Sequence, residues 1–150
     1  MISYDDFKKV EIRAGKILSA EKVDNADKLL KLSVDFDEKV EVVETSTVIP
    51  SSAPLADSTV AAIGNVAPVK VLQPKIRQIV SGIALYFPDP AVLVGKTCMF
   101  VTNLEPRTIR GLESQGMLFA LSTPPTEANP MGSFSLLEPN SSIPAGTCAK

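Results

Sequence analysis

The sequence contains no histidine and no tryptophan. Without imidazole it lacks the usual proton shuttle at neutral pH and the commonest metal ligand. Its two cysteines, Cys98 and Cys148, lie far apart with no C-x-x-C pair, so no zinc site is legible in their spacing. There is no phosphate-cradling glycine loop and no nucleophile with a base beside it in any known motif. An enzyme, a bound metal and a cofactor are therefore not expected. Aromatic residues make up 5% of the chain, which argues against a surface built on stacking platforms. No apolar run approaches the length needed to cross a bilayer, and the opening Met1-Ile2-Ser3-Tyr4-Asp5-Asp6 is acidic, unlike a signal peptide. The reading is a cytoplasmic protein with reduced thiols and no membrane partner.

What is present suits one folded domain spanning residues 1–150. Hydrophobic residues make up 45% and charged residues 21% of the chain, enough for one substantial core. A net charge of −2 excludes general, charge-driven adhesion to nucleic acid but leaves room for a local basic face.

Ser3 with Asp6 three residues on reads as a reciprocal helix cap, giving a single turn through Phe7. Residues 9–23 alternate in polarity until the parity slips after Gly15, which predicts one long strand bent or bulged at that glycine. Asp24-Asn25-Ala26-Asp27 is a turn by composition, because short Asx side chains satisfy local backbone groups. A second strand runs from Leu29 to Phe36, flanked by Lys28 and Lys31. These two lysines read equally as solvated strand ends and as phosphate contacts.

Residues 40–74 contain many β-branched positions, among them Val40, Val42, Val43, Val60, Ile63 and Val66, with no cation between Val40 and Val69. That is too apolar for a disordered loop, and Ser51-Ser52-Ala53-Pro54 and Gly64-Asn65 punctuate it. It predicts a β-rich insert of two or three short strands that extends the hairpin between strands two and three. Lys75 to Ile83 then reads as the third strand. Asp89-Pro90 is an N-cap followed by proline at the first helical position, with Gly95 as the stop, so a short helix is expected over 90–94. Cys98 lies in the apolar run Cys98-Met99-Phe100-Val101, a buried strand in which it serves as a core thiol. Met117-Leu118-Phe119-Ala120-Leu121 is a further strand, Ser133 to Pro139 another, and Pro144-Ala145-Gly146-Thr147 a closing turn. Cys148 follows in a stretch read as a mobile tail.

Between the last two apolar runs lies Asn103-Leu104-Glu105-Pro106-Arg107-Thr108-Ile109-Arg110-Gly111-Leu112-Glu113-Ser114-Gln115-Gly116-Met117. Pro106 fixes φ, and Gly111 and Gly116 permit positive φ or close backbone approach. The stretch reads as a rigid loop holding two guanidinium groups towards solvent.

This N-L-x-P-R-x-x-R-G-x-x-S-x-G-M pattern resembles the signature of the tRNA-binding OB domain family. The family includes free-standing bacterial tRNA-binding proteins, the C-terminal extension of methionyl-tRNA synthetases and the endothelial-monocyte-activating-polypeptide type of synthetase cofactor. Val10-Glu11-Ile12-Arg13-Ala14-Gly15-Lys16-Ile17, Asn25-Ala26-Asp27-Lys28-Leu29-Leu30 and Arg77-Gln78-Ile79-Val80-Ser81-Gly82-Ile83 match in the same order. The resemblance implies an all-β fold: a five-stranded OB barrel with a short helix between strands three and four, plus terminal strands and the insert at 40–74. It implies a non-catalytic, structure-specific tRNA-binding protein that acts as a cofactor or accessory subunit of a methionyl- or other aminoacyl-tRNA synthetase, and a homodimer joined through the N-terminal segment and the region after Leu121. The tRNA-binding residues it implies are Lys28, Lys31, Arg77, Ser81, Asn103, Arg107, Arg110, Ser114, Gln115 and Met117. Asn103 and Ser114 read also as caps of the loop backbone, Met117 as core, and Arg77 as a solvated strand residue. Members of the family commonly carry lysine where this chain has Glu105 and Thr108. About four cationic contacts per subunit remain, which predicts weak binding, dominated by tRNA shape and carrying little sequence preference, with a slope of log affinity against log salt of about −3 to −4. The resemblance extends to secretion-chaperone-like proteins of the same fold, so the alternative is a polypeptide-binding role.

Overall fold

The alternation of Leu30, Leu32, Val34 and Phe36 puts four apolar side chains on one face of the second strand, and all four are buried. They form the centre of the core. In the computed structural model, which describes residues 1–44 and 69–150, strand β1 is Ile12–Val23, β2 Ala26–Glu44, β3 Val69–Ser81 and β4 Thr97–Val101. Short strands follow: β5 Arg107–Ile109, β6 Leu112–Ser114, β7 Met117–Leu118, β8 Ala120–Ser122 and β9 Phe134–Leu136. The main sheet has the order β3-β2-β1-β4-β7, with β1 antiparallel to β2 and β4, and β4 antiparallel to β7. The all-β class read from the sequence is present, as a five-stranded antiparallel sheet. The chain divides into two compact units, one of residues 1–38 with 74–150 and one of residues 39–73. Strand β2 runs on past residue 38 to Glu44 and β3 begins at Val69, as a hairpin extension requires. The short strands expected between them lie outside the described residues.

Local signals gave their elements. Ser3 and Asp6 form a capping box on the helical turn α1, Tyr4–Phe7. Asp89 Oδ1 accepts from the Ala91 amide at 3.0 Å and starts a 3-10 turn, Pro90–Leu93, tighter than the α-helix that the cap alone would suggest. Asn25, at φ 57°, occupies the two-residue turn closed by the Val23 and Ala26 pair.

Three expectations are corrected. The register of β1 against β4 runs unbroken through Gly15, and the irregularities fall between Ile17 and Ser19 and between Lys22 and Val23 in the pairing with β2. Gly15 serves close packing instead: a Cβ there would meet Phe36 Cε1 at 2.5 Å and Val34 Cγ1 at 2.6 Å. The Phe36 ring cannot retreat, since it is 1% exposed and packs edge-on to Phe100 at 5.5 Å. Gly15→Ala is therefore expected to lower stability by about 1–3 kcal/mol, read as a shift in the urea midpoint. An unshifted midpoint would show that the β1 backbone moves freely.

Second, the run 117–121 is two strands. Leu118 pairs with Phe100 in the main sheet, whereas Leu121 pairs with Ser135 on β9. The chain changes partner at Phe119, whose amide donates to the Met99 carbonyl at 2.9 Å. Third, residues 146–149 are held along β1. Gly146 N donates to Ala14 O at 2.8 Å, Ala14 N to Thr147 O at 2.9 Å and Ala149 N to Ile12 O at 2.8 Å. Cys98 is fully buried, and burial pushes its thiol up to about 11, as befits a core residue.

Candidate nucleic-acid interface

The motif expected as a loop is a two-stranded hairpin. Arg107 pairs with Ser114, Thr108 with Glu113 and Ile109 with Leu112. Its two-residue turn is Arg110-Gly111, with φ 51° and 81°. Positive φ at both central residues is the turn whose twist matches the flanking strands, and it places Arg110 at the tip. Sequence reading anticipated the glycine but not the left-handed arginine.

Three hydrogen bonds strap this hairpin to β3. The Gln115 amide donates to the Gln78 carbonyl at 2.8 Å, Gln78 Nε2 to the Glu113 carbonyl at 2.8 Å, and the Val80 amide to Ser114 Oγ at 3.0 Å. Ser114 is 5% exposed and also donates to the Gly116 carbonyl at 3.1 Å, so its hydroxyl is fully used inside the protein. Gly116 leaves no room for a side chain, since a Cβ would lie 2.9 Å from the Val101 carbonyl oxygen. The Gln115 side chain donates to Glu113 Oε1 at 2.6 Å.

Arg107 and Arg110 are exposed and make no ion pair with any described residue. Arg107 lines an open groove of about 570 Å³ with Val80, Leu104, Glu105, Ile109, Ser114, Gly116 and the half-exposed Met117. Ile109 continues into a second groove of about 490 Å³, lined by Arg110 and by Asn25, Ala26, Asp27, Lys28 and Leu29 of the β1–β2 turn. Beyond Arg110 lies a third, of about 280 Å³, with Glu21, Lys22, Val23, Asp24, Lys31 and Leu112. Ile109 and Arg110 thus link the grooves that Arg107 and Met117, and Lys28, line.

Of the other expected residues, Lys31, Arg77 and Asn103 are already engaged within the protein. Lys31 Nζ lies 2.6 Å from Glu21 Oε2, across the β1–β2 pair. Arg77 is not a solvated strand residue: its side chain is 15% exposed, its Nε and Nη2 form a fork with the Glu38 carboxylate, and its Nη1 donates to the Thr102 carbonyl at 2.7 Å. The guanidinium also lies over the Phe36 ring, 5.5 Å from its centre. Arg13 and Lys75 converge on the same carboxylate at 3.5 and 3.7 Å. Burial pushes the Glu38 carboxyl up, but the hydrogen bond and charge of Arg77, with Lys75 and Arg13, outweigh it and hold the group below its usual range. Glu11 is held low likewise, chiefly by Thr102 Oγ1 donating at 2.6 Å and then by Arg13. Asn103 spans to the N-terminal segment: its Oδ1 accepts from the Glu11 amide at 2.8 Å and its Nδ2 donates to the Lys9 carbonyl. Ser81 is half-buried at the end of β3.

Sequence reading missed Lys22, Leu104 and Ile109. Lys22 is exposed, makes no ion pair with a described residue and lines the groove beside Arg110. The sequence carried no signal for it, since it is the pairing of Glu21 with Lys31 across β1 and β2 that leaves Lys22 without an ion pair among the described residues. The grooves also hold Glu21, Asp24, Asp27 and Glu105, so the basic face is local.

Fold and site together define a small antiparallel β module that presents, from a hairpin beside a half-apolar groove, cations unpaired among the described residues. The chain belongs to the tRNA-binding domain family. The family model described as "Putative tRNA binding domain" matches residues 65–148, which contain the whole hairpin. Among curated proteins, a methionine–tRNA ligase of Methanospirillum hungatei is 36% identical over 146 residues, covering 97% of this chain and 15% of the ligase. The ligase of Enterococcus faecalis is 34% identical over 123 residues, 82% of this chain and 13% of the ligase. The chain thus spans a small fraction of these relatives. A MetRS-related protein from Pyrococcus horikoshii superposes with a TM-score of 0.65 at 30% identity, covering 100% of this chain and 98% of that one. The chaperone CsaA of Bacillus anthracis shares the fold, with a TM-score of 0.60 at 20% identity over 100% of this chain and 99% of that one. Among the described residues no cluster of acidic residues or cysteines could hold a metal ion, and no helix is long and apolar enough to cross a membrane.

Proposed function

We propose that this chain is a non-catalytic, cytoplasmic tRNA-binding protein that acts as a cofactor or accessory subunit for an aminoacyl-tRNA synthetase, methionyl-tRNA synthetase first among them. The observation that carries the reading is the hairpin: Arg107 and Arg110 stand unpaired among the described residues, along linked grooves that Lys28 and Lys22 also line. Guanidinium groups so placed form paired hydrogen bonds to phosphate, and the grooves between them accept an unstacked base or a ribose edge. Ser114, Asn103 and Arg77 then support the surface by holding the hairpin, the N-terminal segment and the β2–β3 pair in place. The protein works as a homodimer in this reading. Exposed Tyr4, Phe7 and Val10, beside a groove shared with Ala149, supply an apolar face for a second copy.

Arg107, Arg110, Lys28 and Lys22 make four cations. Wild-type protein is therefore expected to bind bulk tRNA with a slope of log affinity against log salt of about −3 to −4. Fluorescence anisotropy over a salt series measures it. Salt-insensitive binding, with unfolded polypeptide competing and tRNA not, would replace this reading by the polypeptide-binding one.

A further inference from the structure

The groove beside the hairpin contains a carboxylate that phosphate binding does not use. Glu105 lines it with Leu104, Ile109 and Met117, and Arg107 lies in the same groove. Neither the Glu105 nor the Arg107 side chain makes a hydrogen bond or ion pair with any described residue, so opposite charges share one groove without pairing to each other. The volume, about 570 Å³, is within the range of small-ligand sites, and the exposed lining is mostly apolar side chain. A carboxylate accepts hydrogen bonds and donates none, so beside a polyanion it repels unless it meets a paired donor edge.

We propose that this groove receives one unstacked guanine of the bound RNA and makes that position base-selective. The inference rests on the tRNA-binding reading. Guanine alone among the four bases presents two adjacent donors, N1–H and N2–H, on its Watson–Crick edge, and the two oxygens of Glu105 accept both. Adenine and cytosine set one amino donor beside a ring-nitrogen acceptor that repels a carboxylate. Uracil flanks its one donor with two carbonyls. Leu104, Ile109 and Met117 cover the base face, and Arg107 holds the adjoining phosphate.

The test uses RNA pentamers UUGUU, UUAUU, UUCUU and UUUUU, with inosine at the centre of a fifth, titrated into the full chain by NMR alongside bulk tRNA. Wild-type protein should bind UUGUU about ten-fold tighter than the other three, with inosine, which lacks the N2 amine, in between. Glu105→Gln, nearly isosteric at an exposed position, should reduce that preference to within about two-fold while leaving tRNA binding salt-dependent. Equal binding of the pentamers by wild type, or a preference that survives Glu105→Gln, overturns the guanine inference. If tRNA binds steeply with salt in that case, the tRNA reading stands alone; if neither tRNA nor pentamers bind, both readings fall.

Discussion

Replacing Arg107 by alanine and Arg110 by asparagine is expected to weaken bulk-tRNA binding about thirty-fold at low salt and to flatten the salt slope by about 1.4 to 1.8. The magnitude follows from roughly 1 kcal/mol per exposed ionic contact and a tenfold change per 1.4 kcal/mol. The slope follows from about 0.7 to 0.9 counterions released per phosphate neutralised. Asparagine is chosen at position 110 because φ there is 51°, a conformation that asparagine tolerates and alanine does not. The variant then removes charge without straining the turn, and Arg107 is exposed, so the fold should hold. An unchanged slope with full affinity would move the site off the hairpin. The measurement is the same anisotropy series, with circular dichroism as the check on folding.

Arg77→Ala is expected to act in the opposite way, lowering stability while leaving the salt slope near its wild-type value. Removing the guanidinium leaves Glu38 partly buried without its fork. Breaking a fully buried pair costs about 3–5 kcal/mol, and exposure of 15% and 18% for the two side chains reduces this to about 2 kcal/mol. In a chain of this length that is a fall in Tm of roughly 6 °C. A slope that flattened by about one unit with no loss of stability would instead make Arg77 a phosphate contact.

The pH dependence of the same cluster has a definite sign. The folded Glu38 and Glu11 carboxyls are both held below the ordinary glutamate value of about 4.3, so the unfolded chain binds protons more readily. Their contribution is fully present above pH 4.5 and is lost as pH falls through the lower, folded values. In Arg77→Ala the Glu38 part of that loss should shrink, because the largest attraction opposing burial has gone. Urea midpoints measured from pH 7 down to about 3 would show it. A variant with the wild-type acid dependence would place the linkage elsewhere.

The guanine-selective groove bears on both results. Glu105 stands in the same groove as Arg107, so the double variant should lose affinity for guanine pentamers along with tRNA, whereas Glu105→Gln should lose the discrimination alone. The two substitutions thus separate attraction from selection.

Features decided within a few residues were legible in the sequence. Ser3 capping Asp6, Asp89 before Pro90, the Asx turn after Val23 and the alternation from Leu30 to Phe36 each place donor, acceptor or apolar side chain within one turn or one strand. The hairpin motif, read as a resemblance, located Arg107 and Arg110 for the same reason, since its glycines and proline act on their own backbone. What only the tertiary structure decided is which polar groups are left over for a ligand. Arg77 meets Glu38 across 39 positions, Ser114 meets Val80 across 34, and Asn103 meets Lys9 across 94, so three residues of the expected site are committed inside the protein. The converse holds for Lys22, which the register of β1 on β2 leaves unpaired beside Arg110. Residue type announces what a side chain can bind, whereas long-range pairing decides whether it is free to do so, because a hydrogen-bonding group satisfied inside the fold has little to gain from a partner outside it.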